Sequence, residues 1–418
     1  MNIGIICEYN PPHKGHAYQI AQLKERYPDS TVICVMSGNF VQRGTPAIAD
    51  KYTRAAAALA IGADAVFELP FPYSCAPAEL FARGGVEILA ALGIDALCFG
   101  TEGDVLPRLQ KAAEQLDSPA FMLAMAESSS DADRRDVGYP VLRDRVYTEL
   151  YGDADAALLR TPNNTLGVEY LRALARVSRS IQPIAIPRTG DDHDAAYHTL
   201  PPQNAVVSAS AVRALIKDGA FDAAMTLLPP TTAQILTEAR AKEQLCSAPD
   251  RILGAMLLHT FACTPSEVLA QYAGLEGGLA GRLCAAASRA HTLEEWFSLA
   301  ATKKYTNAAI RRAALYGYFG ITADMLRAAP VYTALLASTD RASAFLRRAQ
   351  KESTIAILSR PAAYKKASAA VKEAFLRALS ADVVYGQLLP NPRSVSDLLA
   401  DTPTVSHSKT RQNRDFCI

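Results

Sequence analysis

Short apolar runs alternate with amphipathic segments along the first half of the chain. We interpret the runs 3–7, 31–35, 65–69, 96–99 and 181–186 as strands, and the segments 16–26, 51–61 and 78–92 as helices. Such alternation predicts a parallel sheet with helices on both faces. Parallel sheets bind ligands at the carboxyl ends of their strands. We therefore expect functional residues in the loops that follow Cys7, Val35, Phe99 and Ile186.

The remaining segments have a helical pattern. Residues 104–155 are strongly charged and indicate a helical insertion. After Ser208 the strand pattern disappears, and the sequence is rich in Ala, Leu and Arg, with breaks at Pro229-Pro230, Pro265 and Pro330. A chain of 418 residues suits two domains. We predict an α/β domain over 1–218 and a mostly α-helical domain over 219–418.

Composition narrows the function classes. The net charge is +1, so any nucleic-acid binding must come from local patches rather than from overall charge. No uncharged apolar run is long enough to cross a bilayer, and the N-terminus reaches Glu8 too soon for a signal peptide. The eight cysteines form no CxxC pair. We expect reduced, buried thiols in a cytoplasmic protein, with no zinc or other structural metal site.

The loop after the first strand carries two histidines, His13 and His16, at the start of a helix. Pro11-Pro12 stiffen the turn, and Gly15 lets the backbone approach a ligand. A helix N-terminus attracts phosphate, and two imidazoles on one helical face can donate to charge that develops in a transition state. The alternatives are a simple cap or surface role, or metal ligation, for which a third ligand is missing nearby.

The stretch Pro11-x-His13-x-Gly15-His16 resembles the HxGH signature of the nucleotidyltransferase superfamily. The resemblance implies a Rossmann-like domain in which the histidines bind ATP phosphates and stabilise the transition state at the α-phosphorus. A second signature is expected later in such chains, and 208–213 (SASAVR) is similar to it. Ser208 or Ser210 suits a helix N-cap, and Arg213 would reach the β- and γ-phosphates.

A closer resemblance is to the tRNA(Met) cytidine acetate ligases. It is carried by the segments 8–11 (EYNP), 36–44 (MSGNFVQRG), 67–70 (FELP), 99–102 (FGTE), 162–167 (PNNTLG) and, more weakly, 302–306 (TKKYT). The resemblance implies activation of acetate by ATP as acetyl-adenylate, followed by acetylation of N4 of the wobble cytidine, position 34, of elongator tRNA(Met). The chain departs from the family at Pro12, where an aromatic residue or leucine is usual, and in the acidic segment 188–194.

The resemblance also implies the site residues. His13, His16 and Arg213 are the expected catalytic residues. The expected ATP-binding residues are Cys7, Glu8, Tyr9, Asn10, Pro11, Pro12, His13, Lys14, Gly15, His16, Ala17, Tyr18, Gln19, Ile20, Gly100, Asn163, Asn164, Arg188, Thr189, Ser208 and Ser210. One of Asn163 and Asn164 could cap a helix while the other binds. Mg²⁺ is expected from the chemistry of ATP, although no carboxylate motif points to its ligands.

A tRNA partner needs a positive surface. Gln42 and Arg43 follow the second strand, where acceptor substrates approach in this superfamily. The expected tRNA-binding residues of the helical part are Lys303, Lys304, Arg311, Arg347 and Arg348, with further basic residues Arg312, Lys351, Arg360, Lys365, Lys366, Lys409, Arg411 and Arg414 and possible stacking residues Tyr305 and Tyr364. Each basic cluster could equally be a solvated helix face.

Two other functions share the histidines. A small-molecule adenylyltransferase of cofactor synthesis would use the same ATP site but leaves the basic helical part unexplained. A non-catalytic, nucleotide-sensing RNA binder would not need His13, His16 and Arg213 together. The sequence does not show whether the protein forms dimers or larger oligomers.

Overall fold

The computed structural model describes residues 1–130, 137–178, 180–188 and 206–406. Its strands are β1 (Asn2–Cys7), β2 (Thr31–Ser37), β3 (Phe40–Val41), β4 (Thr45–Pro46), β5 (Ala65–Leu69), β6 (Ala96–Thr101), β7 (Gln182–Pro187), β8 (Tyr332–Thr339), β9 (Ala356–Leu358) and β10 (Thr404–Ser406). Within the described part, eight of these form one sheet in the order β10-β8-β5-β2-β1-β6-β7, with β9 beside β8. The other two, β3 and β4, pair as a small antiparallel hairpin, residues 40–46.

Helices fill most of the remaining described chain. They are α1 (Lys14–Arg26), α2 (Lys51–Ala60), α3 (Ala78–Leu92), α4 (Leu106–Leu116), α5 (Pro119–Ser130), α6 (Tyr139–Tyr151), α7 (Asp153–Ala156), α8 (Pro162–Val177), α9 (Ala209–Lys217), α10 (Phe221–Thr226), α11 (Pro230–Ala241), α12 (Asp250–Cys263), α13 (Ser266–Leu269), α14 (Leu279–Ala287), α15 (Leu293–Ala300), α16 (Asn307–Phe319), α17 (Ala323–Arg327), α18 (Ser343–Glu352), α19 (Ala369–Leu388) and α20 (Val395–Ala400). Short 3₁₀ turns cover Tyr73–Cys75, Ala157–Arg160, Asp340–Ala342 and Pro361–Lys366.

The five predicted strands and three predicted helices of the first half are present, with bounds that differ by three residues or fewer. Strands β2, β1, β6 and β7 run parallel, with Cys7 beside Met36 and Gly100 beside Ile186. Their carboxyl ends therefore lie along one edge of the sheet. Strands β1, β2 and β5 are almost wholly buried, as expected when helices cover both faces of a sheet, whereas the edge strand β7 is only partly buried.

Local signals set the ends of these helices. Helix α2 begins at Lys51 because the carboxylate of Asp50 accepts from the backbone N–H groups of Tyr52 and Thr53. Helix α3 ends at Gly93, whose φ of +79° is a left-handed conformation that glycine adopts without a steric penalty.

The helical half contributes strands that the sequence pattern did not predict. Strand β8 pairs antiparallel with β5, and β9 and β10 pair with β8. The expectation that strands end near Ser208 is therefore wrong. The run 332–339 is a short apolar segment, and such a run cannot be distinguished from a buried helical turn by its periodicity. The division into domains at residue 218 stays a prediction.

A buried ionic cluster joins the two halves of the chain. Lys51 Nζ lies 2.8 Å from Glu68 Oε1 and 2.6 Å from Asp382 Oδ2, and Asp382 also accepts from Asn39 Nδ2. Asp382 lies on α19, whereas the other three residues lie on or near β2, α2 and β5. The cluster therefore fixes α19 against the loop that follows β2.

Two further expectations concern membrane-spanning helices and the burial of the cysteines. No described helix is both long and apolar enough to cross a membrane. Among the described cysteines, Cys7, Cys34, Cys75, Cys98 and Cys246 are buried thiols, as expected. Cys284 is half-buried and Cys263 is exposed at the end of α12, so burial was predicted wrongly for these two.

Candidate active site

A cavity of about 260 Å³ opens at the carboxyl edge of the sheet, where β1, β6 and β7 end. We call it the main cavity. The predicted residues that line it are Cys7, Glu8, Tyr9, Asn10, His13, Gly15, His16, Tyr18, Gln19, Gln42, Arg43, Gly100, Asn163, Arg188, Ser208, Ser210 and Arg213. Both sequence signatures, HxGH and 208–213, therefore lie around one space although about 200 residues separate them in the chain.

The two histidines are held by the start of α1. His13 is the N-cap of this helix, and its Nδ1 accepts from the backbone N–H of Gly15 at 3.1 Å. The backbone N–H of His13 in turn donates to Nδ1 of His16 at 3.2 Å. This reciprocal arrangement is a capping box in which imidazoles take the places of the usual Ser and Glu.

The capping box fixes the orientation of both rings. The ring centroids of His13 and His16 are 3.7 Å apart with an interplanar angle of 27°, and Tyr9 packs against His16 at 4.8 Å. Since both Nδ1 atoms accept hydrogen bonds, each neutral ring carries its proton on Nε2. The cap role and the ligand role of these histidines are therefore compatible, because they use different nitrogens of the same ring.

Arg213 reaches the same cavity from α9. Ser208 is the N-cap of this helix, and its Oγ accepts from the backbone N–H of Ala211 at 3.2 Å. Nη1 of Arg213 donates to the backbone oxygen of Asn10 at 2.6 Å, and Nη2 donates to Oγ of Ser210 at 3.1 Å. These bonds aim the guanidinium at the loop between β1 and α1. Burial lowers its pKa, while the nearby Glu8 carboxylate raises it.

Two residues support this loop: Arg54, which sequence reasoning did not identify, and Asn10, which was expected to bind ATP. Arg54, fully buried on α2, donates to the backbone oxygens of Glu8, Ser37 and Gly38. An arginine inside an alanine-rich helix was a signal that could have been noticed. Asn10 accepts from the Ile48 backbone N–H, and its buried Nδ2 has no hydrogen-bond partner among the described residues, which makes it a candidate donor to a bound ligand.

The opposite wall of the cavity is formed at the end of β6 and the start of α8. The Glu102 carboxylate accepts from the backbone N–H groups of Asn163 and Asn164 and from the Asn163 side chain. Asn164 is buried and its Oδ1 accepts from the Glu102 backbone N–H, whereas Asn163 lines the cavity. Glu102 thus caps the N-terminus of α8 and holds the Asn163 side chain at the wall of the cavity. Burial lowers the pKa of Arg188 on this wall, while Glu102 raises it.

Comparison with known proteins places this site in a family. The family model described as HIGH Nucleotidyl Transferase matches residues 1–398. A tRNA(Met) cytidine acetate ligase of Syntrophotalea carbinolica is 37% identical over 84% of this chain and 82% of that relative. One of Lysinibacillus sphaericus is 32% identical over 88% of this chain and 91% of that relative.

The chain belongs to the tRNA(Met) cytidine acetate ligase family of HIGH nucleotidyltransferases. Two crystal structures of Thermotoga maritima TmcAL share its fold. The apo form has a TM-score of 0.86, and the form bound with alpha-thio ATP has a TM-score of 0.83. Each is 25% identical and covers 97% of this chain and 100% of that chain. The predicted fold and family are therefore confirmed.

Six of the residues that were expected to bind ATP do not line the main cavity. They are Pro11, Pro12, Lys14, Ala17, Ile20 and Asn164. Ile20 lies on the face of α1 that packs into the core, and Asn164 is held by Glu102. Thr189 lies outside the described residues, as do the basic tail residues Lys409, Arg411 and Arg414.

The expected tRNA-binding residues are split between two places. Gln42 and Arg43 line the main cavity, and Arg311 lies on α16, directly against the hairpin. Arg347 and Arg348 lie on α18, where Nη2 of Arg348 donates to the backbone oxygen of Gly93. Gly93 precedes β6, so these two arginines lie at the amino-terminal edge of the sheet, away from the cavity.

The described residues contain no group of three His, Cys, Asp or Glu side chains arranged to hold a metal ion. Among the described lining residues of the main cavity, Glu8 is the single carboxylate. Its Oε1 accepts from the backbone N–H of Gln42 at 2.9 Å. Mg²⁺ commonly binds through one or two carboxylates together with substrate phosphates, and this site offers one.

Proposed function

We propose that this protein activates acetate with ATP as acetyl-adenylate and then acetylates N4 of the wobble cytidine, position 34, of elongator tRNA(Met). The observation that carries the proposal is the convergence of His13, His16 and Arg213 on one cavity, in a chain whose relatives are tRNA(Met) cytidine acetate ligases. We expect the reaction to take place in the cytoplasm, where thiols stay reduced.

The geometry favours one orientation of ATP. The N-terminus of α1 and the Arg213 guanidinium form the positive end of the cavity, which suits the triphosphate. The N-terminus of α8 is already capped by the Glu102 carboxylate, which repels phosphate. We therefore place the adenosine end near Gly100, Asn163 and Arg188, with the α-phosphorus between the two walls.

In the first step an oxygen of acetate attacks the α-phosphorus, and the bond to the β-phosphate oxygen breaks to release diphosphate. The Nε2–H groups of His13 and His16 donate to phosphate oxygens as charge grows on them, and Arg213 neutralises charge on the leaving diphosphate. The protein supplies alignment and electrostatic stabilisation rather than a covalent nucleophile. A bound Mg²⁺ would be held by phosphate oxygens and by Glu8, and would neutralise phosphate charge.

In the second step the N4 amino group of cytidine attacks the acetyl carbonyl carbon. The carbon–oxygen bond to AMP breaks, the nitrogen loses a proton, and N4-acetylcytidine and AMP are formed. A base in a single-stranded loop can leave its stack at low cost. Gln42 and Arg43 border the cavity, and we propose that the tRNA enters past them and along the surface that carries Lys303, Lys304 and Arg311.

Exchange of labelled diphosphate into ATP tests the first step. We expect exchange that requires acetate and is not supported by nicotinamide mononucleotide. Exchange with the mononucleotide alone would favour the adenylyltransferase of cofactor synthesis, and no exchange with either would contradict catalysis. Incubation with elongator tRNA(Met) and labelled acetate then tests transfer, with a tRNA whose position 34 is uridine as the control.

A further inference from the structure

A second cavity, of about 490 Å³, lies on the other side of the hairpin 40–46. We call it the side cavity. It is bounded by Gly44, Thr45 and Pro46 of the hairpin and by helices α12, α15 and α16. Thr45 lines both cavities. The hairpin is therefore a thin wall between the main cavity and the side cavity.

The walls of the side cavity combine an aromatic ring, a cation and leucines. The guanidinium of Arg311 lies 6.0 Å from the centroid of the half-buried Phe297 ring. Phe297 in turn stacks on Trp296, which is fully buried, at 5.1 Å and 21°. The ring thus has a fixed orientation. Leu253, Leu257 and Leu315 complete the apolar surface.

The polar groups of the side cavity include several that can hydrogen-bond the edge of a base. Asn307 and Ser298 can both donate and accept hydrogen bonds. Two carboxylates also lie here, Asp250, which is paired with Lys217 at 3.3 Å, and Glu294. Carboxylates repel phosphate but accept from the N–H groups of nucleobases.

The hairpin is fixed in place on both sides. The backbone N–H of Gln42 donates to Glu8 in the main cavity, and the backbone oxygen of Gln42 accepts from Nη1 of Arg312 at 3.0 Å. Gly44 has a φ of +74°, and a Cβ there would lie 2.8 Å from Cβ of Arg311. The hairpin is therefore packed tightly against α16 and cannot be displaced without disturbing both cavities.

We infer that the side cavity binds the nucleobase next to the target cytidine, in contact with Phe297 and Arg311, while the hairpin separates the two bases. The inference rests on the proposed function and adds to it a second base-binding site. Its basis is that the two cavities are adjacent, since Thr45 lines both, and that an aromatic ring is paired with an arginine, which is typical of single-stranded RNA sites. The hairpin acts as a wedge that keeps the target base out of its stack.

Substitutions at Phe297 test this site in the full-length protein. Phe297→Leu keeps an apolar side chain but removes the ring, and Phe297→Tyr keeps the ring. We expect Phe297→Leu to weaken the binding of an anticodon stem-loop RNA by about tenfold, and Phe297→Tyr to bind as wild type. Tyr27→Ala, which removes an exposed aromatic side chain at the end of α1, is the matched control. The melting temperature checks that each variant is folded.

Abasic substrates identify the base. Two RNAs are compared with the intact stem-loop. One lacks the base immediately before position 34, and the other lacks the base immediately after it. For one of them we expect wild type to bind about tenfold more weakly, and Phe297→Leu to show no further loss. Equal binding of the intact RNA by wild type and Phe297→Leu would overturn the inference, as would additive losses from Phe297→Leu and the missing base. Acetate-dependent diphosphate exchange should be unchanged in every variant, and its absence in wild type would instead contradict the proposed function.

Discussion

Asn164 and Glu102 exchange two hydrogen bonds. Oδ1 of Asn164 accepts from the Glu102 backbone N–H at 3.0 Å, and the Asn164 backbone N–H donates to Oε2 of Glu102 at 3.0 Å. This buried exchange couples the end of β6 to the start of α8. Asn163, one residue earlier, lines the main cavity. We therefore propose different roles for the adjacent asparagines: Asn164 holds β6 to α8, and Asn163 contacts the bound nucleotide.

The two asparagines should respond differently to substitution. Asn164→Ala leaves the partly buried backbone N–H of Glu102 without its acceptor, and we expect the free energy of unfolding to fall by about 1–3 kcal/mol. Asn163→Ala removes the side-chain hydrogen bond to Glu102, and we expect it to cost less stability than Asn164→Ala but to raise KM for ATP several-fold. Urea unfolding and initial-rate kinetics measure the two effects. Loss of stability in Asn163→Ala with unchanged KM would reverse the assignment.

His13 caps α1, and we propose that it also donates to the phosphates of ATP. Two substitutions can separate these roles. Asparagine is a good N-cap, so His13→Asn should keep the stability of α1 but lose the Nε2–H donor. We expect acetate-dependent diphosphate exchange to fall by about 10²–10³-fold. His13→Ala should show the same kinetic loss together with about 1 kcal/mol less stability.

His16→Ala should show a kinetic loss similar to that of His13→Asn. His291→Ala, which removes an exposed histidine beyond α14, is the control and should exchange at the wild-type rate. Wild-type exchange by His16→Ala would remove the histidine pair from the mechanism.

The buried cluster at Lys51 predicts a large effect on stability. Lys51→Met leaves the carboxylates of Glu68 and Asp382 buried without their cation, and we expect a loss of about 3–5 kcal/mol in the free energy of unfolding. Lys111→Met breaks an exposed pair with Asp155 and should cost less than about 1 kcal/mol. Equal effects of the two substitutions would contradict the importance of burial.

The same cluster predicts that the free energy of unfolding depends on pH in the alkaline range. Burial by itself lowers the pKa of Lys51, but Asp382 and Glu68 together raise it well above its ordinary value. A pKa that is higher in the folded state means that the contribution to stability is complete below about pH 10 and is lost as pH rises through the raised pKa. The difference in the free energy of unfolding between wild type and Lys51→Met should therefore become smaller as pH rises through the raised pKa of Lys51. Urea unfolding measures this difference. A constant difference would exclude this titration.

Salt dependence tests the tRNA surface. Each lost phosphate contact should reduce the slope of log Kd against log salt by about 1. We expect this reduction for Lys303→Gln and for Arg43→Gln, which lies at the cavity. Arg347→Gln, at the opposite edge of the sheet, serves as the comparison. An equal reduction in Arg347→Gln would show that the tRNA extends around the protein to that edge.

The features that the sequence predicted well are local. Strand and helix bounds in the first half follow from apolar runs, and the Ser208 cap follows from residue type at a helix start. The features that it missed depend on pairing between distant residues. Arg54 binds three backbone oxygens from two loops, Asp382 binds Lys51 from α19, and β8 joins β5. No local pattern encodes such partners.

The position of β8 has a consequence for how the protein is made. The Thr333 hydroxyl on β8 donates to the backbone oxygen of Glu68 on β5, and the two residues are 265 positions apart. At about 5–20 residues per second of synthesis, β5 leaves the ribosome roughly 10–50 s before its neighbour exists. During that interval its edge can pair with strands of other chains. Newly made chains should therefore depend on chaperones until residue 339 has emerged, and a version ending at 218 should aggregate.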